Sequence, residues 1–409
     1  MRAPYLDGAD TKFCTGCSAC AFACPTKAIS MIEDVCGFVY PTVDEDACVQ
    51  CGRCLSACHM AASDDLKSKD VLQAYGAYVK DCDQLMRSAS GGVATSIALT
   101  TVREGGIVYG CVADREDVRH DRLTTPEKIE RSRGSKYVQS DISRAIPQIA
   151  DDLNSGVWVV FIGAPCQCAA LRRLFGARDN LLLIDLVCEG VPSQRMYADF
   201  LDELERERGV RVTDFRFRDK RGGWSTKNAV VVGEDEVPLG RQPHSYYYYY
   251  YYYYLFTHAL ILRDSCYACP YACCHRVGDV TIGDFWGAET SRLGYSLREL
   301  RGGVSCVLAN TGEGSRVVEA ISGGFDMRPC AFEAVARSNS CLIRPSVCDV
   351  GERGEVLAAY ESDGAVGMKR WYGKRFDSRA RAKANLAASL PLWVRVTAKR
   401  ALQRLRDGR

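Results

Sequence analysis

Residues 157–193 read VWVVFIGAPCQCAALRRLFGARDNLLLIDLVCEGVPS and carry the clearest structural pattern in the chain. Two apolar runs, 157–162 and 181–187, have the length and continuity of buried strands. A helix-like segment lies between them at 167–175, and another follows at 194–208. This alternation of strand, loop and helix predicts an α/β fold.

The same alternation continues upstream. A helix-like run at 93–104 ends at two glycines and is followed by a strand-like run at 107–113. Residues 66–86 read as a connector. Because Cys166 and Cys188 each come directly after a predicted strand, we expect both thiols where open α/β sheets bind their ligands, at the carboxyl ends of strands.

The composition describes a folded protein of two or three domains that is unusually rich in cysteine. The chain has 409 residues, 47 % of them hydrophobic and 25 % charged, which excludes a disordered or fibrous protein. A net charge of +2 gives no signature of a nucleic-acid-binding protein. The first residues lack a secretory signal, and no apolar run reaches the roughly 18 residues of a membrane-spanning helix. The 22 cysteines therefore predict metal or redox chemistry in the cytoplasm.

Two runs of cysteines near the N-terminus match the two-cluster ferredoxin pattern, C-x-x-C-x-x-C-x-x-x-C. Pro25 follows the first run, and His59 takes the place of proline after the second. Zinc also binds Cys-x-x-Cys pairs, but two runs of four favour iron–sulfur clusters, with the fourth cysteine of each run serving the neighbouring cluster. We therefore assign one 4Fe-4S cluster to Cys14, Cys17, Cys20 and Cys58, and the other to Cys48, Cys51, Cys54 and Cys24.

A further group of cysteines lies beyond the ferredoxin-like segment. Cys166 and Cys188 are distant singles, whereas Cys266 and Cys269 form a Cys-x-x-Cys pair. Together they could hold a third cluster or a zinc ion, and the spacing leaves both alternatives open.

Two polar loops suit a nucleotide cofactor. Residues 87–92 read RSASGG and precede the helix-like run, so their glycines allow close backbone approach and the helix N-terminus attracts phosphate. An ordinary serine-capped helix start is the alternative. The loop 134–141, GSKYVQSD, mixes a cation, an aromatic ring and hydrogen-bonding groups. No GxGxxG motif is present, so a Rossmann nicotinamide site is not indicated.

Three other segments leave alternatives open. The nine tyrosines 246–254 are either a repeat expansion or an aromatic wall near a cofactor. A basic strip could meet a polyanionic substrate or form a solvated strand edge; it consists of Arg216, Arg218, Lys220 and Arg221. Residues 369–409 hold 13 basic and 2 acidic residues, with Pro391 as a break in or the start of a helix. This tail is either a solvated helix or a docking surface for an acidic partner, anionic lipid or the acidic N-terminal segment.

Taken together, the motifs resemble the coenzyme F(420) hydrogenase/dehydrogenase beta subunit family. The resemblance covers about residues 10–350, and its motifs are SASGGVATSIA (88–98), RGSKYVQSDI (133–142), FIGAPCQCAALRR (161–173), LVCEGVPS (186–193), FRFRDKRGGW (215–224), SCYACPYA (265–272) and DVTIGDFWG (279–287). Members of this family bind FAD noncovalently and carry 4Fe-4S clusters. The resemblance therefore implies a flavin as well as clusters.

The resemblance also implies roles for individual residues. The family's flavin-phosphate turn corresponds to Ser90, Gly91 and Gly92. Its flavin-contacting loop corresponds to Lys136, Tyr137 and Gln139, of which Lys136 and Tyr137 are also candidate proton donors. Its flavin-side 4Fe-4S cluster corresponds to Cys166, Cys188, Cys266 and Cys269.

These inferences predict an α/β protein, α+β overall, in four parts. They are a two-cluster ferredoxin-like domain (1–65), a flavin-binding region (80–155), an FAD and iron–sulfur domain (156–350) and a basic helical tail (351–409). We expect an oxidoreductase that relays electrons between 4Fe-4S clusters and FAD to reduce or oxidise an organic substrate, either an F(420)-type deazaflavin or another acceptor. An electron-transfer subunit without catalysis of its own is the alternative, and a redox sensor is a third interpretation.

The expected partners follow from this chemistry. They are a redox protein or low-potential electron donor, an organic acceptor or donor, and a peripheral membrane surface or acidic protein for the tail. No nucleic acid is expected.

Overall fold

The computed structural model describes residues 11–68, 70–220, 223–224, 228–234, 250–375, 386 and 390–407. The strands within these residues are β1 (Ile29–Glu33), β2 (Val39–Val43), β3 (Gln73–Val79), β4 (Ile107–Asp114), β5 (Asp117–Leu123), β6 (Val159–Gly163), β7 (Leu181–Leu186), β8 (Asp214–Asp219), β9 (Asn228–Val232), β10 (Val280–Asp284), β11 (Ser305–Ala309) and β12 (Phe325–Cys330).

The α-helices of the same residues are α1 (Ala19–Ala23), α2 (Arg53–Ala57), α3 (Cys82–Arg87), α4 (Val93–Arg103), α5 (Pro126–Ser132), α6 (Ala145–Asn154), α7 (Pro165–Phe175), α8 (Gln194–Arg208), α9 (Tyr251–Thr257), α10 (Leu297–Gly302), α11 (Gly312–Ser322), α12 (Phe332–Ala336), α13 (Val350–Arg375, kinked at Asp363 and Gly364) and α14 (Leu392–Asp407). Short 3₁₀ turns include Thr11–Phe13, His59–Ala62, Asp64–Leu66, Asp264–Ala268, Ala288–Thr290 and Ser340–Leu342.

Among the described residues, a mixed sheet of eight strands forms the centre of the molecule, in the order β12-β3-β11-β10-β7-β6-β4-β5. The four strands β10, β7, β6 and β4 run parallel, and the remaining neighbouring pairs, β12–β3, β3–β11, β11–β10 and β4–β5, are antiparallel. Helices pack on its apolar side chains, which confirms the α/β fold. Because the carboxyl ends of the parallel strands share one edge, the loops that follow them meet there.

The main body of the protein comprises the predicted flavin-binding region and the predicted FAD and iron–sulfur domain, together with β3. Strands from both predicted parts belong to this one sheet. β3, β4 and β5 come from residues before 155, and the other five come from residues after it. The expected boundary at 155/156 therefore lies between two elements of a continuous sheet, and the four domain boundaries stay predictions.

The expectation that residues 66–86 form a connector is wrong. β3 lies inside this segment and pairs with both β11 and β12. Its sequence, QAYGAYV, has too few β-branched residues to stand out as a strand. A side chain at Gly76 would place its Cβ 2.2 Å from the Tyr295 hydroxyl and 2.9 Å from the Phe285 ring, so this packing requires glycine there.

The ferredoxin-like segment packs directly on the main body. It consists of the β1–β2 hairpin and the short helices α1 and α2. Arg173 donates from Nε to the Ser56 carbonyl at 2.6 Å, and Ser193 donates from Oγ to the Cys36 carbonyl at 2.5 Å. The Ser193 hydroxyl also accepts from the Met196 amide as the N-cap of α8, so one side chain fixes both a helix start and the contact between the two parts.

The structure describes parts of the tyrosine run and of the basic tail. Tyr250–Tyr254 are buried, and α9 begins within them; Tyr246–Tyr249 lie outside the described residues. α14 begins directly after Pro391, as expected of a helix start, and its residue Val396 is buried in the hydrophobic core. None of the helices in the described part of the chain combines the length and apolar character that crossing a bilayer requires.

Candidate redox centre

Four cysteines predicted to share a cluster surround a small cavity of about 10 Å³. This inner cysteine set comprises Cys14, Cys17, Cys20 and Cys58. Burial raises the pKa of Cys17 to about 12, and the nearby thiolates of Cys14 and Cys58 add to the increase. The Gly16 amide donates to Cys14 Sγ at 3.4 Å. Such mutual repulsion is removed when thiolates bind iron.

The other four ferredoxin-type cysteines line a second cavity of about 30 Å³. This outer cysteine set comprises Cys24, Cys48, Cys51 and Cys54. Cys51 is exposed. Burial has the largest effect on the pKa of Cys24 and acts to raise it. Hydrogen bonds from Thr26 and from the Ala28 amide, the latter at 3.3 Å, outweigh burial and lower that pKa. The fold thus brings both sets of four together, one inside the protein and one at its surface.

Both sets fit the ligand pattern of a cubane. Its four thiolates are spread over four irons, so they surround a space rather than meeting at one ion. Each set lines such a space. Among the residues that the structure describes, no group of three histidine, cysteine or acidic side chains forms a single-ion site.

The third cysteine set, Cys166, Cys188, Cys266 and Cys269, gathers at the carboxyl edge of the sheet. Cys166 lies in the first turn of α7 after β6, and Cys188 follows the neighbouring strand β7. The Gly190 amide donates to Cys188 Sγ at 3.4 Å, and a Cβ at Gly190 would lie 3.3 Å from Cys266 Sγ. Burial, followed by the thiolates of Cys269, Cys188 and Cys266, raises the pKa of Cys166 well above its usual value. The four thiols therefore lie close together, as shared ligands would.

A buried hydrogen-bonded pair connects the inner and third cysteine sets. His59 Nδ1 lies 2.6 Å from the Tyr271 hydroxyl, and Nε2 lies 3.0 Å from Thr15 Oγ1. Tyr271 interacts electrostatically with thiolates of both sets, including Cys166 and Cys17. The sequence showed that His59 replaces a proline, but not that it contacts a residue 212 positions away.

A cavity of about 350 Å³ lies beside these cysteines. Its lining includes most of the residues that the resemblance assigns to the flavin, together with cysteines of the inner and third sets: Ser90, Gly92, Lys136, Tyr137, Gln139, Cys17, Cys166, Cys188 and Cys266. This volume is typical of sites for cofactors and small ligands. Predicted cofactor contacts and predicted cluster ligands thus meet in one space.

The glycine turn at the start of α4 lies against the sheet. A Cβ at Gly91 would lie 2.1 Å from the Ala77 carbonyl oxygen, so only glycine fits there, although Gly91 itself does not line the cavity. Gly92 has a φ of 88°, which favours glycine. Ser90 donates from Oγ to the Val304 carbonyl at 2.9 Å. The turn therefore brings the N-terminal end of α4 to the cavity, and a helix N-terminus is where proteins commonly bind anions.

The loop 134–141 is held by its own side chains. Lys136 Nζ donates to the carbonyls of Cys111, Ser132 and Arg133 at 3.1, 2.9 and 2.8 Å. Burial lowers its pKa. Gln139 donates from Nε2 to the Thr15 carbonyl at 2.9 Å, which ties the loop to the ferredoxin-like segment. The Lys136 ammonium is thus committed to shaping the loop.

An aromatic wall lies on one side of the cavity. The Tyr137 ring stacks on Phe256 with centroids 4.6 Å apart, and Tyr253 lies 5.8 Å from Tyr137. Tyr253 belongs to the tyrosine run and lines the cavity, so part of this run forms an aromatic wall there. Sequence reasoning had no signal that selected Tyr253 from its eight neighbours.

The basic strip divides between two environments. Arg218 pairs with Asp284 at 2.6 Å and lines the cavity beside Trp286. Lys220 is buried and donates to the carbonyls of Leu85 and Ser90, each at 2.6 Å; burial lowers its pKa to about 7. The interpretation of a solvated edge is wrong for both, because this strand end packs against the glycine turn. Arg216 is exposed and pairs with Asp214, and Arg221 lies outside the described residues.

The sequence does not single out His120, because one histidine in a strand has no spacing signal. It is 3 % exposed, stacks on Phe161 and lines the cavity. Nε2 lies 3.0 Å from the Ile162 carbonyl, whereas Nδ1 is buried and has no hydrogen-bond partner among the described residues. Nδ1 is therefore an acceptor that a bound group can satisfy.

Comparisons with known proteins identify the same parts of the chain. Residues 13–62 match the model of the 4Fe-4S dicluster domain. Residues 74–147 and 157–331 match the N-terminal and C-terminal models of the coenzyme F(420) hydrogenase/dehydrogenase beta subunit. No curated protein matches the chain.

Among solved structures, the chain is similar to a chain of the xenon-derivatised F(420)-reducing NiFe hydrogenase complex from Methanosarcina barkeri. The identity is 18 %, the match covers 74 % of this chain and 91 % of that chain, and the TM-score is 0.41. The family assignment rests on the sequence models, which together span most of the main body and its N-terminal segment. The chain belongs to the coenzyme F(420) hydrogenase/dehydrogenase beta subunit family and carries a 4Fe-4S dicluster domain.

Proposed function

We propose that this protein is an FAD- and iron–sulfur-dependent oxidoreductase of the cytoplasm, which exchanges electrons with an organic substrate. The observation that carries the proposal is one cavity lined by Cys17, by three members of the third cysteine set and by the loop 134–141. When bound there, a flavin supplies chemistry that joins one-electron clusters to two-electron reactions of organic molecules.

Residues at the glycine turn supply the binding groups for a cofactor diphosphate. The first residues of α4 line the cavity, and this helix is 11 residues long, so its positive N-terminal end favours an anion there. Lys220 stabilises the turn by donating a hydrogen bond to the Ser90 carbonyl. His120 Nδ1 offers an acceptor to a hydroxyl or N–H group of the bound molecule.

The aromatic wall excludes water from one side of the cavity, and one of its residues also offers a proton to a bound molecule. Tyr137, Tyr253 and Phe256 exclude water from one side. The Tyr137 hydroxyl accepts from Arg218 at 3.3 Å, which leaves its own proton available. Burial raises the pKa of Tyr137, so this proton stays in place at neutral pH. Tyr137 is therefore the better candidate proton donor, since Lys136 is held by three carbonyls.

An electron-transfer subunit that serves a separate catalytic protein is the second candidate. The exposed Cys51 of the outer cysteine set favours it, because electrons enter or leave a protein where a cluster lies close to the surface. An F(420)-type deazaflavin is one acceptor that this family suggests. A redox partner would dock on the outer cysteine set in either case.

The tail helix offers a second surface. Lys399 pairs with Glu289, and Arg400 donates to the carbonyls of Glu289 and Tyr295 at 2.7 and 2.9 Å. The helix α14 of the tail thus docks on residues 289–295 of its own chain. On its outer face Trp393 and Leu405 are 59 % and 68 % exposed, which supports peripheral contact with a partner or lipid.

The test is the cofactor content of anaerobically purified protein, measured as flavin released by denaturation and as bound iron. We expect about one FAD and about 12 irons per chain, four for each cluster. Gly91→Val, which drives a side chain into the Ala77 carbonyl, should lose the flavin. Gly312→Ala, where a Cβ meets nothing within 4 Å, is the matched control.

The two candidate functions are then separated by turnover. A low-potential donor and an organic acceptor are supplied to the isolated holoprotein. Sustained turnover supports the oxidoreductase, and reduction of the bound flavin without turnover supports the electron-transfer subunit. Intact clusters without any flavin would rule out the proposed function.

A further inference from the structure

A single buried arginine connects the inner cysteine set, the loop 134–141 and the third cysteine set. Arg263 is 1 % exposed. Its guanidinium donates to the carbonyls of Cys14 and Val39 at 2.7 and 2.6 Å, and to Gln139 Oε1 at 3.2 Å. Its own carbonyl accepts from the Cys266 amide at 2.9 Å. The side chain thus reaches the first cysteine of one set, and the backbone holds a cysteine of the other.

The charge of Arg263 is not neutralised by a carboxylate of the described residues. Its partners are two carbonyl oxygens and one amide oxygen, and the guanidinium lies 4.3 Å above the centre of the Tyr40 ring. Arg276 provides the contrast, because it is equally buried but pairs with Asp185 at 3.2 Å. Burying an unpaired cation is costly, so a negative group at this place is expected.

Arg263 also lies close to thiols of both neighbouring sets. It lines the same cavity as Cys17 of the inner set and as Cys188 and Cys266 of the third set. The approach is close because residue 16 is glycine: a Cβ there would lie 2.9 Å from Arg263 Nη1. The outer cysteine set lines a different cavity, to which Arg263 does not contribute.

We propose that Arg263 is the shared counter-charge of the two 4Fe-4S clusters held by the inner and third cysteine sets, and that it raises the reduction potentials of both. The inference rests on the proposed function, since it requires those clusters. Adding one electron to a cluster breaks no bond and adds one negative charge. A fixed cation in a buried, weakly screened environment stabilises that added charge. Arg263 therefore makes the two clusters better electron acceptors than their burial alone would allow.

The test is a redox titration of the anaerobic holoprotein with dithionite, followed by electron paramagnetic resonance. In Arg263→Gln we expect two of the three midpoint potentials to move to more negative values, with that of the outer set unchanged. Arg263→Lys keeps the charge and should restore most of the shift. Arg195→Gln is the matched control, because it removes an exposed arginine that pairs with Glu33 of the ferredoxin-like segment; it should move no potential.

A further variant keeps the proposal testable if the glutamine variant does not assemble clusters. Gly16→Ala displaces the guanidinium from Cys14 without removing its charge, so only the midpoint of the inner set should become more negative. Unchanged midpoints in every variant that assembles clusters would overturn the role of Arg263. Equal shifts in Arg263→Gln and Arg263→Lys would also overturn it, since hydrogen bonding rather than charge would then be responsible. Absence of cluster signals from the unaltered protein would count against the proposed function instead.

Discussion

The inner and outer cysteine sets have the same sequence pattern and different surroundings. In the inner set Cys14, Cys20 and Cys58 are buried, and Cys17 faces the large cavity. In the outer set Cys51 is exposed. The pattern of spacing therefore determines which cysteines can share a cluster, and packing against the main body determines what each cluster can exchange electrons with. We infer that the outer set serves an external partner and the inner set serves the cavity.

The largest expected effect comes from removing one cysteine ligand from the inner set and, in a separate variant, one from the outer set. Cys17→Ser and Cys51→Ser should each lose about a third of the bound iron, because each removes one of three clusters. Only Cys17→Ser should also lower the flavin content, since Cys17 lines the cavity. Iron and flavin assays on the two purified variants measure the difference. Equal loss of flavin in both variants would contradict the division into inner and outer roles.

Access of solvent should distinguish the two sets in the unaltered protein. With an iron chelator under mild oxidation, the signal of the outer cluster should decay faster than that of the inner cluster, because the apolar shell around a site controls solvent access. Time-resolved electron paramagnetic resonance provides the rates. The comparison fails if the inner signal disappears first.

Substituting the residue that follows the fourth cysteine of each run, Pro25 or His59, should have a smaller effect, which is on stability. His59→Pro restores the usual ferredoxin residue but removes the ring partner of the buried Tyr271 hydroxyl, which keeps a 3.4 Å hydrogen bond to the carbonyl of residue 59. We expect a loss of about 0.5–1.5 kcal/mol in the free energy of unfolding, the typical net contribution of one hydrogen bond. Pro25→Ala, after the fourth cysteine of the first run, is the control and should cost less. Denaturant titrations of the apoproteins compare them.

At neutral pH the smallest effect is that of His120 in the cavity wall, because it changes the stability only as the pH decreases. Burial lowers the pKa of His120 to about 4 in the folded protein, against about 6.5 when it is unfolded. Between these values the unfolded chain binds more protons, so stability falls as the pH decreases from about 6.5 to 4. His120→Phe should reduce this slope in thermal denaturation scans. An unchanged slope would place its origin in another group.

Local patterns predicted the local parts of the molecule. The cysteine runs, the strands β6 and β7 and the helix α8 are all readable from spacing and apolar periodicity. The pair Cys166 and Cys188 was placed correctly after its strands because strand ends are also a local signal. The roles of these residues in binding a cofactor remain predictions.

What escaped prediction depends on contacts between distant residues. Arg263 reaches the Cys14 carbonyl across 249 positions, and His59 reaches Tyr271 across 212. Nothing in the neighbourhood of an isolated arginine or histidine indicates such a partner. β3 was missed for a related reason, because its small residues suit the packing of Tyr295 and Phe285 rather than any strand propensity of their own.

The position of β3 between β11 and β12 also affects the order in which the protein can form. β3 ends at residue 79, whereas its two partners end at residues 309 and 330, so it has no partner until most of the chain has been made. Pairings this distant in sequence close slowly, and the unpaired edge is open to other chains while it waits. We therefore expect that β3 must be protected from aggregation while the rest of the chain is synthesised. Variants shortened before residue 330 should be insoluble rather than partly active.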